Sequence, residues 1–461
     1  MSPTSPDRPV VLVSNRGPVS FTLDDDGEPR GRRGAGGLVS GLAPLVAGTS
    51  TRWLAAALTP ADRVAAERGL VESDGLQVRL LALDEDRFAE AYDVICNATL
   101  WFVHHGLFDT AHRPRYDARW RTAWDAYREV NRAFADAVAA DAPPDAVVLV
   151  QDYHLCLVAS ALGDRRPDLT LVHFSHTPFA GPDDLARLPT AAAAELLEGM
   201  AAHQACGFHT ERWASRFTQS CREVLGAAPA TFVAPLAADP DDLAGTVARP
   251  ATATARAELD RLVGDRRFIV RVDRIELSKN VLRGFQAFDD LLDRYPRWRE
   301  RVVLGAFLYP SREGLPEYLA YRQEVETAIE AINARWATPS WTPVLADLAD
   351  DYPLSVAALQ RSDVLLVNPV RDGLNLVAKE GPLVNDRDGV LVLSREAGAW
   401  PELGEAALGI NPFDVAETAD ALVAGLEMAD EERAGRAARL RALAGARTPA
   451  DWLDDQLAAA T

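Results

Sequence analysis

The feature that most constrains this chain is a recurring unit: a short apolar run, β-branched or leucine-rich throughout, ends in a polar cluster, and a helical stretch follows. "VVLVSNRG" is the first such run, and "AVVLVQDYHL", "LTLVHFSHTPF" and "TFVAPL" continue the series. A second series reads "RFIVRVDRI", "RVVLGAF", "DVLLVNPV" and "GVLVLSRE". Strands that are apolar without alternation are buried on both faces, and parallel strands need a long crossover, usually helical, between them. The pattern therefore predicts an α/β architecture of parallel sheets covered by helices. Between the strands the apolar spacing becomes helical: in "VLRGFQAFDDLLDRY", Leu282, Phe285, Phe288 and Leu292 recur near one turn apart.

Two series in 461 residues point to two domains, because a chain of this length exceeds one ordinary domain. The acidic, proline-marked stretch "PLAADPDDLAGTVARP" (Pro235 to Pro250) separates the series. It predicts Rossmann-like halves over residues 1–234 and 235–461, with parallel sheets facing an interdomain cleft. The stretch "RTPADWLDDQLAAAT" is expected to form a last helix that packs back on the first domain. In such sheets ligands bind beyond the carboxyl ends of the strands, where the polar clusters fall.

Composition removes several classes of function. A formal net charge of −20 argues against a nucleic-acid partner, which needs a basic footprint. No apolar run has the length of a membrane span, and "MSPTSPDRP" has no signal-peptide core and reads as a loose tail. The clusters "LDDDGE" and "ADPDDL" read as solvated loops. Cys96, Cys156, Cys206 and Cys221 show no CxxC or Cys/His metal spacing, and read as buried reduced thiols of a cytoplasmic protein.

The polar clusters carry the chemistry. Of 48 basic residues only two are lysines, Lys279 and Lys379. Codon bias explains such scarcity but not the positions. "RVDRIELSKN" places Arg274 and Lys279 five residues apart after a strand, where an arginine fork and a lysine point charge can converge on one diphosphate. The plain alternative is a pair of solvated surface cations. In "NPVRDGLNLVAKEGPL", Asp372 and Gly373 suit a tight turn and "LNLVAKE" reads as a helix opening, a place that favours phosphate. Glu380 is expected about two turns further on, within reach of a sugar hydroxyl. The same segment also reads as a capped helix after a buried strand.

In the first half, Arg16 ends the first strand and the glycine-rich "GAGGLVSGL" leads into a helix. It matches neither GxGxxG nor GxxxxGK[ST], which disfavours a nicotinamide enzyme or a P-loop ATPase. "QDYHL" puts Asp152 and His154 at one strand end, and "FSHTPF" puts His176 at the next. A histidine in apolar surroundings is more often structural than catalytic, but two adjacent strand ends with ionisable groups improve the functional odds. There is no GxSxG elbow and no HExxH pair, and "DED" at Asp84 to Asp86 reads as a solvated acidic loop.

Taken in order, "SNR", "GGLVSGL", "YDVICNATLW", "QDYHL", "HTPF", "DRIELSKN", "YPSRE" and "RDGLNLVAKE" resemble the motifs of the trehalose-6-phosphate synthase family of retaining glycosyltransferases (family 20), over most of the chain. The resemblance implies the two-domain GT-B fold and transfer of glucose from a nucleoside-diphosphate glucose to glucose 6-phosphate, with no metal or other cofactor. It implies an acceptor set of Arg16, Tyr92, Trp101, Asp152 and Arg312, with Arg16, Tyr92 and Arg312 at the phosphate. It implies a donor set of Gly36, Gly37, His176, Arg274, Lys279, Asp372, Asn375, Leu376 and Glu380. His176 would stand near the transferred glucose, Arg274 and Lys279 would clamp the diphosphate, and Glu380 would hold the ribose. Asp152, His176, Arg274, Lys279 and Asp372 are the catalytic candidates.

No carboxylate stands out as a covalent nucleophile, so front-face transfer with retention is expected, in contrast to paired-carboxylate glycosidases. The chain departs from the family pattern at Asn280, where glycine is common, and at "HTPF", His209 and Trp400. These departures resemble an actinobacterial branch, and GDP-glucose is favoured over UDP-glucose as donor. The rival readings are a pseudoglycosyltransferase joining a cyclitol nucleotide to an aminocyclitol phosphate, and a non-catalytic sugar-phosphate sensor. Neither a nucleic acid nor a membrane is expected as partner, and a homo-oligomer is left open.

Overall fold

A computed structural model describes residues 8–34 and 37–461. The chain folds as two compact units, Met1–Leu236 with Pro449–Thr461, and Ala237–Thr448. The sequence boundary of 234/235 thus lies two residues before the observed division, and the final segment belongs to the first unit. All described helices are too short or too polar to cross a membrane.

The first unit is built on strands β1 (Val10–Val13), β2 (Val19–Leu23), β3 (Pro29–Arg33), β4 (Arg52–Ala56), β5 (Leu70–Ser73), β6 (Leu76–Leu81), β7 (Val147–Gln151), β8 (Thr170–Ser175), β9 (Ala205–Phe208) and β10 (Ala230–Val233). Eight of them form one sheet in the order β10-β9-β8-β7-β1-β4-β6-β5, while β2 and β3 pair as a separate antiparallel hairpin. Only the β5–β6 edge of the large sheet is antiparallel. β1 and β7 are buried at every position, as apolar runs without alternation require.

The second unit carries β11 (Arg267–Arg274), β12 (Val302–Tyr309), β13 (Val344–Asp347), β14 (Val364–Val367), β15 (Val390–Ser394) and β16 (Leu408–Ile410). Their order is β13-β12-β11-β14-β15-β16, and every pair is parallel. The helix Val281–Arg294 buries Phe285, Phe288, Leu291 and Leu292 in the core with β11 and β12, on the face its spacing predicts. With mostly parallel sheets in both units, the chain has the α/β class expected from its two series of apolar strands.

Both sheets reverse strand order beside their first strand. β1 is flanked by β4 and β7, and β11 by β12 and β14. Such a switch point opens a crevice at the carboxyl ends, because the two crossovers leave in opposite directions. Arg16 follows β1 and Asp152 follows β7. Arg274 ends β11, Lys279 follows it, and Asp372 follows β14.

Three local expectations are corrected. "ADPDDL" is a helix start rather than a solvated loop: Asp239 caps Pro240–Val247 by accepting from the backbone N–H groups of Asp241 and Asp242, with Pro240 in the first turn. Asp84 likewise caps Glu85–Ala89. The third concerns Glu380. The helix begins at Val377, not at Leu374, so Glu380 lies in its first turn rather than two turns on. Asn375 has φ +87°, which a continuing helix cannot use, and its side-chain oxygen accepts from the Ala378 N–H.

Candidate functional site

In the first unit the site is built around Asp152. Its backbone has φ 70° and ψ 169°, a region that residues other than glycine avoid at a cost of about 1–3 kcal/mol. Hydrogen bonds hold it there, one of them from the Leu155 N–H to its carbonyl (3.2 Å). Its N–H donates to the Phe174 carbonyl (2.7 Å), its own carbonyl accepts from His173 Nε2 (3.2 Å), and its carboxylate Oδ1 accepts from the His176 N–H (3.2 Å). His173 is fully buried, and burial pushes its pKa well below the usual histidine range, so the ring is neutral with its proton on Nε2. The Asp152 carboxylate thus stands at the end of β7, 3.7 Å from His154 Nδ1.

His154 stacks against Tyr92 (centroids 5.8 Å), and Tyr92 against Phe88 (5.7 Å). Tyr92 belongs to an eleven-residue π-helical run, Glu90–Leu100. The wide winding is visible where the Trp101 N–H reaches the Cys96 carbonyl, five residues back. Such windings are rare and concentrate at functional sites. The Tyr92 hydroxyl meets Arg16 Nη2 at 3.4 Å, and the Ser14 hydroxyl donates to the Arg16 carbonyl (2.6 Å), fixing the chain where β1 ends. The structure therefore brings Arg16, Tyr92, Asp152 and His176 together through short links. Trp101 is buried and stacked on His105 (4.2 Å), in the helix that continues from the π-helical run. Gly37 opens the helix Gly37–Val46, and Gly36 lies outside the described residues.

In the second unit two loops are stitched side by side. The Asn280 amide donates to the Asn368 carbonyl (2.9 Å), the Asn368 amide donates to the Asn280 carbonyl (3.2 Å), and the Val370 N–H donates to the Ser278 carbonyl (2.9 Å). Asn280 has φ +58°, the conformation for which glycine is the usual choice and asparagine the best substitute. This stitching puts Lys279 Nζ 2.6 Å from Asp372 Oδ2, and the Asn375 amide donates to the same oxygen (3.1 Å). Burial alone would lower the Lys279 pKa, but Asp372 and Asp273 outweigh it and hold the ammonium charged. The backbone near Asp372 is pressed close: a Cβ at Gly398 would lie 1.9 Å from the Gly373 carbonyl oxygen.

Arg274 and Arg312 converge on one buried carboxylate, Glu276, at 3.1 and 2.8 Å, and the Ser311 hydroxyl donates to it at 2.8 Å. Burial raises the Glu276 pKa, yet Arg274, Arg312 and Lys279 together bring it down to about 2, so it is ionised at any working pH. Arg312, assigned above to the acceptor side, thus belongs to the second unit and shares the partner of Arg274. Leu376 precedes the helix Val377–Val384. Glu380 stands apart from the Lys279 cluster; burial, then the Asp242 charge, raises its pKa to about 7. Lys379 does not join the cluster either. It is buried and paired with Glu402 at 2.7 Å, tying its helix to the short helix Trp400–Leu403.

Several supporting residues had no role in the sequence reading. Arg271, fully buried in β11, pairs with Asp273 (2.8 Å) and donates to the carbonyls of Lys279 (3.2 Å) and Val281 (3.1 Å), so it sets the lysine loop from below. Its signal was an arginine inside an otherwise apolar strand, and His173 inside "TLVHFS" gives the same signal. Glu276 lay within a quoted motif. Trp452 and Gln456, which meet the His176 neighbourhood from the last helix, have no local signal at all.

Comparison with known proteins supplies an independent view. Residues 8–461 match the profile of Glycosyltransferase family 20. A protein of Mycobacterium sp. (strain JLS) named trehalose-6-phosphate synthase is 34% identical over 464 residues, covering 95% of this chain and 92% of that protein. An Arabidopsis thaliana protein named probable alpha,alpha-trehalose-phosphate synthase [UDP-forming] 2 is 30% identical over 93% of this chain, which spans 54% of that longer protein. Among solved structures, a UDP-forming alpha,alpha-trehalose-phosphate synthase from Burkholderia xenovorans in complex with glucose-6-phosphate superposes with a TM-score of 0.83 at 26% identity, over 97% of this chain and 99% of that one.

Proposed function

The chain belongs to glycosyltransferase family 20, and from that premise we propose that it transfers glucose from a nucleoside-diphosphate glucose to glucose 6-phosphate, giving trehalose 6-phosphate with retention. The observation that carries this reading is the cluster of Lys279, Asp372 and Asn375 beside the Arg274–Glu276–Arg312 group, at the switch point of the second sheet. The diphosphate leaving group gains charge as the glycosidic bond breaks. Fixed cations that need no reorganisation stabilise that charge more in the transition state than before it. Lys279 and Arg274 would serve the diphosphate, with the helix start at Val377, and no metal or other cofactor is called for in this scheme. Asp372 and the backbone at Asn375 and Leu376 would hold the donor sugar and its phosphates.

Arg16 and Tyr92, with Arg312, would hold the acceptor phosphate, and Asp152 its hydroxyls. Transfer would run on one face of the sugar, the leaving phosphate oxygen taking the acceptor proton. The sequence favoured GDP-glucose, whereas the Arabidopsis and Burkholderia relatives carry UDP-forming names. The test addresses both. Purified protein is incubated with glucose 6-phosphate and either donor, with chelator present, and nucleotide release and disaccharide phosphate are measured. Product from one donor establishes the reaction and its base; no product from either, with sugar phosphate still bound, overturns it in favour of a cyclitol-coupling or sensing role.

Glu380 adds a pH signature. A carboxylate accepts from two ribose hydroxyls, whereas a protonated acid offers fewer acceptor sites. With a pKa near 7, Glu380 is protonated in mild acid, so KM for the donor is expected to fall as pH rises through about 7. The folding sign is opposite: the proton is held more tightly than at the ordinary 4.5, so its contribution to stability is lost as pH climbs from 4.5 through about 7. In Glu380→Gln the donor KM should stay high and flat across that range. A wild-type KM unchanged between pH 6 and 8 would remove Glu380 from the donor site.

A further inference from the structure

The His176 ring is held by a buried relay that ends on the last helix, Pro449–Ala458. His176 Nε2 lies 3.0 Å from Gln151 Oε1, and Gln151 Nε2 donates to Gln456 Oε1 at 3.0 Å. Gln456 is fully buried and Gln151 is 1% exposed, so neither amide exchanges its partner for water. Trp452, one turn before Gln456, sets its indole against the His176 ring (5.5 Å) and against Phe174 (5.1 Å). The ring therefore has little freedom to turn.

The direction of this relay follows from its far end. Gln456 Nε2 faces the Trp452 carbonyl at 3.5 Å. A carbonyl only accepts, so an amide oxygen turned toward it would be repelled, and the NH2 group belongs on that side. Gln456 then presents its oxygen to Gln151, Gln151 must present its NH2 in return, and its own oxygen faces His176. An oxygen cannot donate, so the hydrogen bond requires N–H at His176 Nε2. We propose that Gln456 is a positioning residue for the transfer reaction: through Gln151 it fixes His176 as the Nε2–H tautomer and leaves Nδ1 as an acceptor.

Burial supports a single neutral form, since it pushes the His176 pKa down to about 4. The backbone N–H of His176 is already committed to Asp152 Oδ1 (3.2 Å). Residue 176 thus has no hydrogen to give and one lone pair to offer, because among the described residues Nδ1 has no partner. That fits it to receive a sugar hydroxyl, and it cannot protonate a leaving group. This inference rests on the proposed glucosyl transfer for its functional half, while its structural half stands on the relay alone.

The test reads the two halves separately. The 15N-labelled full chain, without substrates and at neutral pH, gives a long-range imidazole spectrum in which His176 is assigned by its loss in His176→Asn. A single Nε2–H pattern is expected. Gln456→Met keeps the length and removes the amide, so both tautomers should appear and kcat/KM should fall roughly tenfold with glucose 6-phosphate affinity unchanged. Gln456→Glu, whose buried protonated carboxyl keeps an oxygen for Gln151 and a hydroxyl for the Trp452 carbonyl, should retain the Nε2–H pattern and most of the rate. Gln151→Met provides the same reading should Gln456→Met not fold. An Nδ1–H ring in the wild type, or a pure Nε2–H ring in Gln456→Met, overturns the proposal. The expected tautomer in a protein that makes no disaccharide phosphate would support the relay and overturn only the transfer reading.

Discussion

Replacing Lys279 by alanine is expected to lower kcat for glucosyl transfer by roughly 100- to 1,000-fold, the usual cost of removing one fixed group that stabilises charge in a transition state. Two effects add. The ammonium that would meet the departing diphosphate is lost, and Asp372, 2.6 Å away in the intact site, loses its ammonium partner and adds a negative charge beside it. Binding of glucose 6-phosphate should change little, because Arg16 and Tyr92 lie in the other unit and Arg312 keeps its own partner, Glu276. Lys279→Arg should recover only part of the rate, since a planar fork on a different stem does not reproduce a compact charge. Steady-state kinetics with acceptor calorimetry checks this, and a loss below tenfold would show that Lys279 is not the diphosphate's main cation.

The second large effect is on folding. Arg271→Leu should destabilise the protein by about 3–5 kcal/mol, because it strands the buried Asp273 carboxylate and two backbone carbonyls. The Asp273 pKa is already raised by burial even with Arg271 present, which marks how poorly that site tolerates an unpaired charge. Thermal unfolding should shift down by about 10 °C. Adding Asp273→Leu should restore part of the loss, since a well-packed apolar pair replaces a buried ion pair at little cost. A single variant that melts within 1 °C of the parent would mean that water or a neighbour takes over the role.

Legibility followed sequence distance. Strands such as Val147–Gln151 and Arg267–Arg274 could be read because a continuous apolar run is a local property. The short strand Ala205–Phe208 and the edge pair Leu70–Ser73 and Leu76–Leu81 went unread: the first lacks β-branched residues, and the pair lies where burial is partial. At the candidate site, Arg274, Lys279 and Asp372 stand out in the sequence because each sits in a motif at a strand end, and the fold pairs Lys279 with Asp372 and Arg274 with Glu276. The Arg271 and His173 supports were visible only as polar residues misplaced in apolar strands. The Gln151–Gln456 pair spans 305 residues and has no trace in either local segment. The helix start at Val377 was misplaced because backbone conformation at Asn375, not residue type, decides it.

The chain leaves the first unit at Leu236 and returns to it at Pro449. During synthesis, then, the ribosome has translated all of the second unit before it supplies Trp452 and Gln456. A nascent or truncated chain ending near Thr448 would carry the Lys279–Asp372 pair and the Arg274–Glu276–Arg312 group complete while the histidine still lacks its contacts with the last helix. The order of translation thus separates the two halves of the site: a chain that stops short of Trp452 and Gln456 would leave the His176 ring without the contacts that hold it.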